Sequence, residues 1–179
     1  MVSAFSGNTA TGIKNSYKSQ YFLSLKSTVR LPLFYDDESL YRFVSRSTPL
    51  SSSAYVPEDL VSVSGANIDE AGRRSFIRSD AKNALLELAS AYEKEFQTPL
   101  VVVSAYRSAA YQKRLWDLGR CTDSLCAPPG YSEHQLGLAV DLFDASTLRD
   151  FESNKKYKSS IRWLQKNAHL YGWTQSYQK

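Results

Sequence analysis

Side chains that bind metal through nitrogen or sulfur are scarce in this sequence. It holds two histidines, His134 and His169, and two cysteines, Cys121 and Cys126. A four-cysteine zinc site is excluded, because no second cysteine pair exists. Cys121 and Cys126 precede Pro128, Pro129 and Gly130 in one loop, where a small disulfide ring or free thiols are expected instead. No apolar run approaches the roughly 18 to 20 residues that a membrane span requires. The N-terminal residues lack the apolar centre of a secretory signal. Either the protein is not exported by that route, or the chain starts after a removed leader. No dense Lys/Arg block accompanies the net charge of +4. That charge fits an ordinary solvated surface better than a site for anionic polymer, and nucleic-acid binding has no motif support. Internal repeats are also absent, and the oligomeric state is not legible.

What is present suits one soluble domain. The length is enough to bury a core. The hydrophobic content of 42% and charged content of 22% are those of an ordinary globular protein. Residues 1–28 are rich in Ser, Thr, Asn, Gly and Lys with little periodicity, and read as a flexible arm. Residues 29–179 read as the domain. Leu31 to Tyr55 mixes aromatics with Ser and Pro and reads as irregular. Asp80 is the expected N-cap of a helix reaching about Phe96, with Ala81, Ala84, Leu85, Leu88 and Tyr92 on its buried face. Pro99 precedes Leu100-Val101-Val102-Val103, an expected core strand. Ser108 is the expected cap of a second helix carrying Ala109, Tyr111, Leu115 and Trp116, with Gly119 as its stop. Leu138 to Phe143 reads as the next strand. A third helix from about Ser159 to Tyr171 turns Ile161, Leu164 and Ala168 inward and ends at Gly172. Trp173 to Tyr177 begins a further strand. Helices and strands are interspersed without regular βαβ alternation, which makes the class α+β.

The chemistry concentrates in Ser132 to Asp141, which reads S-E-H-Q-L-G-L-A-V-D. His134 and Asp141 offer an imidazole and a carboxylate, a pair that suits Zn²⁺. Gly137 allows a tight turn between them, and the small Ala139 lets another element pack close. An isolated His–Asp pair is more often structural, with the acid serving as a cap or turn residue. A second constellation, Ser104-Ala105-Tyr106-Arg107-Ser108, lies where the core strand meets the second helix. A strand end feeding a helix N-terminus is a good place for an anion or a carbonyl. The Arg107 guanidinium can hold a carboxylate bidentately or stabilise charge on a carbonyl oxygen. Its competing role is a salt bridge to an acid such as Asp141 or Asp144.

The complete pattern S-x-H-x-x-G-x-A-x-D resembles that of the LAS zinc peptidases. They include VanY-type D-Ala-D-Ala carboxypeptidases, D,D-dipeptidases, some phage endolysins and the hedgehog signalling domain. Tyr55 to Leu60 is similar to the Y-x-P-x-D-L segment of VanY-type domains, and Ser104 to Gln112 to their S-x-Y-R-S…Q block. The resemblance covers about Tyr55 to Lys179. It implies a small central antiparallel sheet packed with helices, as in the hedgehog and D,D-peptidase folds. It implies His134 and Asp141 as Zn²⁺ ligands and Arg107 in contact with substrate near the scissile bond. Ser132 becomes a donor to substrate or to a zinc ligand, unless it only forms the turn. Gln112 becomes a weaker substrate contact, unless it sits on a solvated helix face. His169 matches an N-A-H-x-Y-G segment whose histidine is not a ligand in the family. The implied partner is a peptidoglycan stem peptide, and the implied location is the cell envelope or outside the cell.

One part of the family pattern is missing. An E-x-W-H segment, expected after the strand that matches Trp173–Tyr177, does not occur in the sequence. In the family its Glu is the general base and its His the third metal ligand. Catalytic zinc generally has three protein ligands and keeps a fourth position for water, and the base takes that water's proton. The chain as it stands is therefore expected to bind Zn²⁺ weakly and to hydrolyse little or nothing, and truncation of an active enzyme is the favoured explanation. A degenerate homologue and a site completed by a partner chain compete with it. Two classes of function follow. One is a zinc-dependent D-alanyl-D-alanine carboxypeptidase trimming stem peptides, with D,D-dipeptidase and endopeptidase as neighbouring activities. The other is a non-catalytic module that binds cell-wall peptide or a protein partner on the same scaffold.

Overall fold

The computed structural model describes residues 4–7, 34–119, 127–143 and 155–176. In chain order, the described strands and helices are β1 (Ala4–Gly7), β2 (Leu60–Ser62), β3 (Ile68–Asp69), β4 (Phe76–Arg78), α1 (Ser79–Phe96), β5 (Leu100–Ser104), α2 (Ala109–Asp117), β6 (Ala139–Leu142), α3 (Lys155–Asn167) and β7 (Trp173–Gln175). The central sheet has the order β3-β5-β6-β1-β7, and β2 pairs with β4 beside it. Every pairing is antiparallel except β3 with β5 at one edge. The chain is therefore α+β, with a small and mainly antiparallel sheet packed by helices.

The helical spacing of apolar residues puts Ala81, Ala84, Leu85, Leu88, Ala89 and Tyr92 on the buried face of α1. That face meets Leu100 and Val102 of β5, Val140 and Leu142 of β6, Leu164 of α3 and Trp173 of β7 in one core. Full burial of each large apolar side chain contributes roughly 1.5–3 kcal/mol. The Tyr92 hydroxyl shares a 2.7 Å hydrogen bond with Ser160 Oγ, which ties α1 to α3. The rings of Phe96, Phe143 and Trp163 surround Tyr92 at centroid distances of 4.6, 6.1 and 5.9 Å.

The start of α1 departs from expectation. Its N-cap is Arg78, and Asp80 lies in the first turn. The physical reason is Asp59, an acid far away in sequence. Its carboxylate accepts from Arg78 Nε at 2.8 Å and Ser79 Oγ at 3.2 Å, and its carbonyl accepts from Ser79 N–H at 3.1 Å. The Y-x-P-x-D-L segment thus organises a helix start. Asp80 contributes only as a negative charge near that end. The third helix also starts earlier than expected and ends at Asn167. A 3₁₀ turn, Ala168–Tyr171, continues it, and Gly172 at φ 80° stops it.

Two parts of the N-terminal third differ in character. The arm expected to be flexible contributes β1, which pairs with β6 and β7 at once, Ala4 opposite Asp141 and Phe5 opposite Gln175. Residues 34–57 are irregular, as expected, with one isolated bridge between Ser45 and Thr48. They are nevertheless anchored by a buried charge. Arg42 is 5% exposed. Its Nε donates to Asp37 at 2.7 Å and its Nη1 to the carbonyls of Phe34 and Phe43 at 3.0 and 2.6 Å, while Nη2 donates to the Pro49 carbonyl. A buried guanidinium is tolerated when its donors are taken up in this way. Cys121, Cys126 and Asp144 lie outside the described residues, as does Tyr177.

Candidate active site

The site forms where β5 ends beside β6. Ser104 is paired with Asp141, after a shift in register between Val102 and Ser104. The chain leaving β5 supplies Ala105, Tyr106 and Arg107 before α2 begins. Ser108 caps that helix, as expected, its side chain accepting from Tyr111 N–H at 3.2 Å. On the other side, Ser132 caps a 3₁₀ turn, Glu133–Leu136, by accepting from His134 N–H at 3.3 Å. Gly137 ends the turn at φ 65°. A Cβ there would lie 3.0 Å from both Arg78 Cγ and Leu60 Cδ2. Position 137 therefore needs glycine for its backbone and for its space.

This turn aims His134 at Asp141. His134 Nε2 lies 3.3 Å from Asp141 Oδ1. His134 Nδ1 lies 2.6 Å from the Ala105 carbonyl oxygen. A carbonyl can only accept, so Nδ1 carries the proton, and a neutral ring presents its lone pair at Nε2. A lone pair and a carboxylate facing each other at this distance favour a cation between them, either a second ring proton or a metal ion. A backbone carbonyl behind the ring is the usual partner that fixes the tautomer of a metal-binding histidine. Both side chains therefore fit Zn²⁺. Among the described residues no third His, Cys, Asp or Glu joins them. His169 stands exposed in the turn after α3.

Arg107 completes the charge balance. Its backbone N–H donates to the His134 carbonyl at 3.1 Å and its Nη2 to Asp141 Oδ2 at 2.8 Å. The salt bridge offered as its alternative role is thus present. Its Nε, however, is buried and meets no acceptor. Burial of Asp141 raises its pKa, but the charge and hydrogen bond of a His134 ring bearing both protons, and the charge of Arg107, outweigh that and hold it below the ordinary carboxylate range. Asp141 is accordingly ionised.

The remaining sequence-selected residues sit at the edge of this group. Ser132 is buried and its hydroxyl is engaged with the turn. Gln112 is fully buried, which corrects the solvated-face alternative, and its Nε2 donates to the Ala127 carbonyl at 2.6 Å. Trp116 Nε1 donates to that same carbonyl at 3.1 Å. Two participants were invisible in the sequence. The Ala105 carbonyl is backbone and carries no residue signal. Gln135, inside the decapeptide, is fully buried at the junction of three segments, and its only sequence signal was an uncharged amide beside the histidine.

An imidazole of fixed tautomer and an ionised carboxylate are a pair that can hold a metal ion, and beside them stands an arginine with an unused N–H donor. The family model of VanY, described as D-alanyl-D-alanine carboxypeptidase, matches residues 74–179. The chain belongs to that family. It is 34% identical over 173 residues to YodJ of Bacillus subtilis (strain 168), a protein named as a carboxypeptidase, covering 92% of this chain and 62% of YodJ. Among solved structures, the LdcB LD-carboxypeptidase superposes with a TM-score of 0.60 at 33% identity, covering 76% of this chain and 66% of that one. A VanY D,D-pentapeptidase from a VanB-type resistance cassette, solved with Zn(II), is 24% identical with a TM-score of 0.48, covering 73% of this chain and 72% of that one. The chain thus spans less than two thirds of the length of YodJ.

Proposed function

We propose that this chain is the zinc-dependent domain of a carboxypeptidase that removes the terminal D-Ala from peptidoglycan stem peptides. The observation that carries the reading is the His134–Asp141 pair, with the ring locked by Ala105 so that Nε2 and Oδ1 face one another 3.3 Å apart. His134 and Asp141 would hold the metal. Zn²⁺ held there supplies Lewis-acid polarisation of a carbonyl and lowers the pKa of water. Arg107 has a separate task. Its buried Nε lacks an acceptor, and a buried donor without a partner is costly. A substrate carboxylate or developing oxyanion beside it would satisfy that donor while Nη2 keeps hold of Asp141. The reading needs a third ligand beyond the two that the described residues provide. Substrate on peptidoglycan places the protein's work in the cell envelope or outside the cell. No helix among the described residues is long and apolar enough to cross a membrane.

The test measures zinc content after dialysis and D-Ala release from a peptide ending in D-Ala-D-Ala, for the chain extended through an E-x-W-H segment and for its His134→Ala variant. The expected outcome is zinc-dependent release that His134→Ala removes together with the metal. Release that survives His134→Ala, or that ignores zinc, overturns the reading. A second specificity is favoured by one observation, the match to the LdcB LD-carboxypeptidase. Under it the chain cleaves between an L-residue and a final D-Ala. A peptide ending in L-Lys-D-Ala, run beside the first, separates the two. A chain that binds stem peptide without cleaving either substrate is the non-catalytic module instead.

A further inference from the structure

Gln135 takes no part in the chemistry just proposed, yet it is fully buried. Its carboxamide joins three stretches of chain. Oε1 accepts from Gly130 N–H at 2.9 Å, and Nε2 donates to the carbonyls of Ser53 at 2.8 Å and Tyr55 at 3.2 Å. Leu50 N–H donates to the Gly130 carbonyl at 2.7 Å and closes the same junction. Residues 50–55 precede the family match at 74, and the buried Arg42 anchors the segment that leads into them. The site's histidine is the residue immediately before Gln135 in the same 3₁₀ turn.

The turn is therefore gripped from two sides. On one side His134 is held by the connection between β5 and α2, through the Ala105 carbonyl and Arg107 N–H. On the other, Gln135 holds it to the Ser53–Tyr55 backbone. Loss of the carboxamide would strand the buried Gly130 N–H and free two carbonyls one residue from the ring. Leaving such groups unpaired costs enough to drive local rearrangement or water entry. We infer that Gln135 is a positioning residue that fixes the rotation of the His134 turn, and with it the Nδ1–H tautomer and the aim of Nε2 at Asp141. The inference rests on the reading of His134 as a metal ligand.

The test uses the full chain labelled with ¹⁵N-histidine. With only two histidines, the ring signals separate readily, and a long-range ¹⁵N–¹H spectrum of the metal-free protein at mildly alkaline pH reports the tautomer of each. Wild type is expected to show His134 as Nδ1–H alone. Gln135→Leu is expected to show a mixture of tautomers. Gln135→Glu keeps the volume and the acceptor for Gly130 but sets a carboxylate against two carbonyl oxygens, so it should shift the ring as Leu does. Leu88→Ala, a core change in α1, serves as the control. It should lower the melting temperature and leave the tautomer alone. Chelator competition gives a second readout, with a loss of zinc affinity of about 10–100-fold in both Gln135 variants. The inference is overturned if Gln135→Leu keeps a pure Nδ1–H ring, if Gln135→Glu behaves as wild type, or if Leu88→Ala shifts the ring as far. If wild type binds no zinc, the metal reading fails, and the tautomer comparison still decides the positioning role.

Discussion

On one edge of β6 stands β5, whose continuation supplies the Ala105 carbonyl and Arg107. On the other stands β1, from the opposite end of the chain. The β5 side supplies the contacts that hold the His134–Asp141 pair from outside its own turn: Ser104 opposite Asp141, the ring of His134 on Ala105, and the guanidinium on the carboxylate. The β1 side contributes backbone pairing along residues 4 to 6. The same strand is thus a chemical partner along one edge and a structural partner along the other. Changes on the two sides should then fail in different ways, one in rate and the other in stability.

The largest expected effect lies on the β5 side. In a version extended through the expected E-x-W-H segment, Arg107→Ala should cut D-Ala release by about 10²–10³-fold, the usual loss when one transition-state donor is removed. Zinc content should hold, because the substitution removes none of the ligands. Steady-state kinetics with metal analysis checks this. An unchanged rate would leave Arg107 with its salt bridge alone. On the β1 side, Ser6→Pro removes a ladder donor from a strand paired along both edges. It should cost about 1–3 kcal/mol in urea unfolding, with the rate per folded molecule preserved. A variant as stable as wild type would show that β1 contributes little, and the contrast between the two edges would collapse.

Smaller effects sharpen the contrast away from β6. Gly137→Ala forces a left-handed backbone on a residue with a Cβ and crowds Arg78 and Leu60. About 1–2 kcal/mol of stability should be lost, with zinc affinity falling alongside, since this turn carries His134. Thermal melts and chelator competition on the same samples test whether the two losses travel together. Tyr92→Phe should cost only about 1 kcal/mol at neutral pH, the worth of its bond to Ser160. Burial raises the Tyr92 pKa, and the Ser160 hydrogen bond offsets this only in part. The folded state thus prefers the neutral phenol. That contribution is complete below the unfolded pKa of about 10 and is lost as pH rises through the higher folded value. The urea midpoint of wild type should therefore drop above about pH 10, and that of the Phe variant should drop less. Tyr55 and Tyr106, also raised by burial, keep part of the alkaline loss in both proteins. Equal slopes would mean that Tyr92 does not titrate with unfolding.

The parts of this protein that sequence alone made legible are those written within one short stretch. The apolar face of α1, the run Leu100–Val103 and the cap at Ser108 depend on neighbours a few residues away. The decapeptide placed His134 and Asp141 in one pattern, and the structure brings their side chains together. Features set by distant residues were missed or misread. Asp59 displaced Asp80 from the start of α1. Burial of Gln112 depends on Ala127, across a loop. The role of Gln135 depends on backbone at Ser53 and Tyr55, and a carbonyl leaves no trace in residue identity. β1 escaped because Ala-Phe-Ser-Gly is too short to display a period-two pattern, and its pairing depends on strands far along the chain.

The place of β1 also constrains the order in which the molecule can assemble. Its ladders join Ala4 to Asp141 and Phe5 to Gln175, contacts that close loops spanning most of the chain. Loop closure of that length is paid before the pairing returns any stability, which slows folding. During synthesis β1 must thus wait long after its own emergence to find its place, since β7 must emerge before its second edge can be covered. Until then β6 and β7 present unpaired edges to the surroundings, the state in which strands of different molecules pair with one another. Conditions of expression, more than the stability of the finished fold, should set how much soluble protein this chain yields.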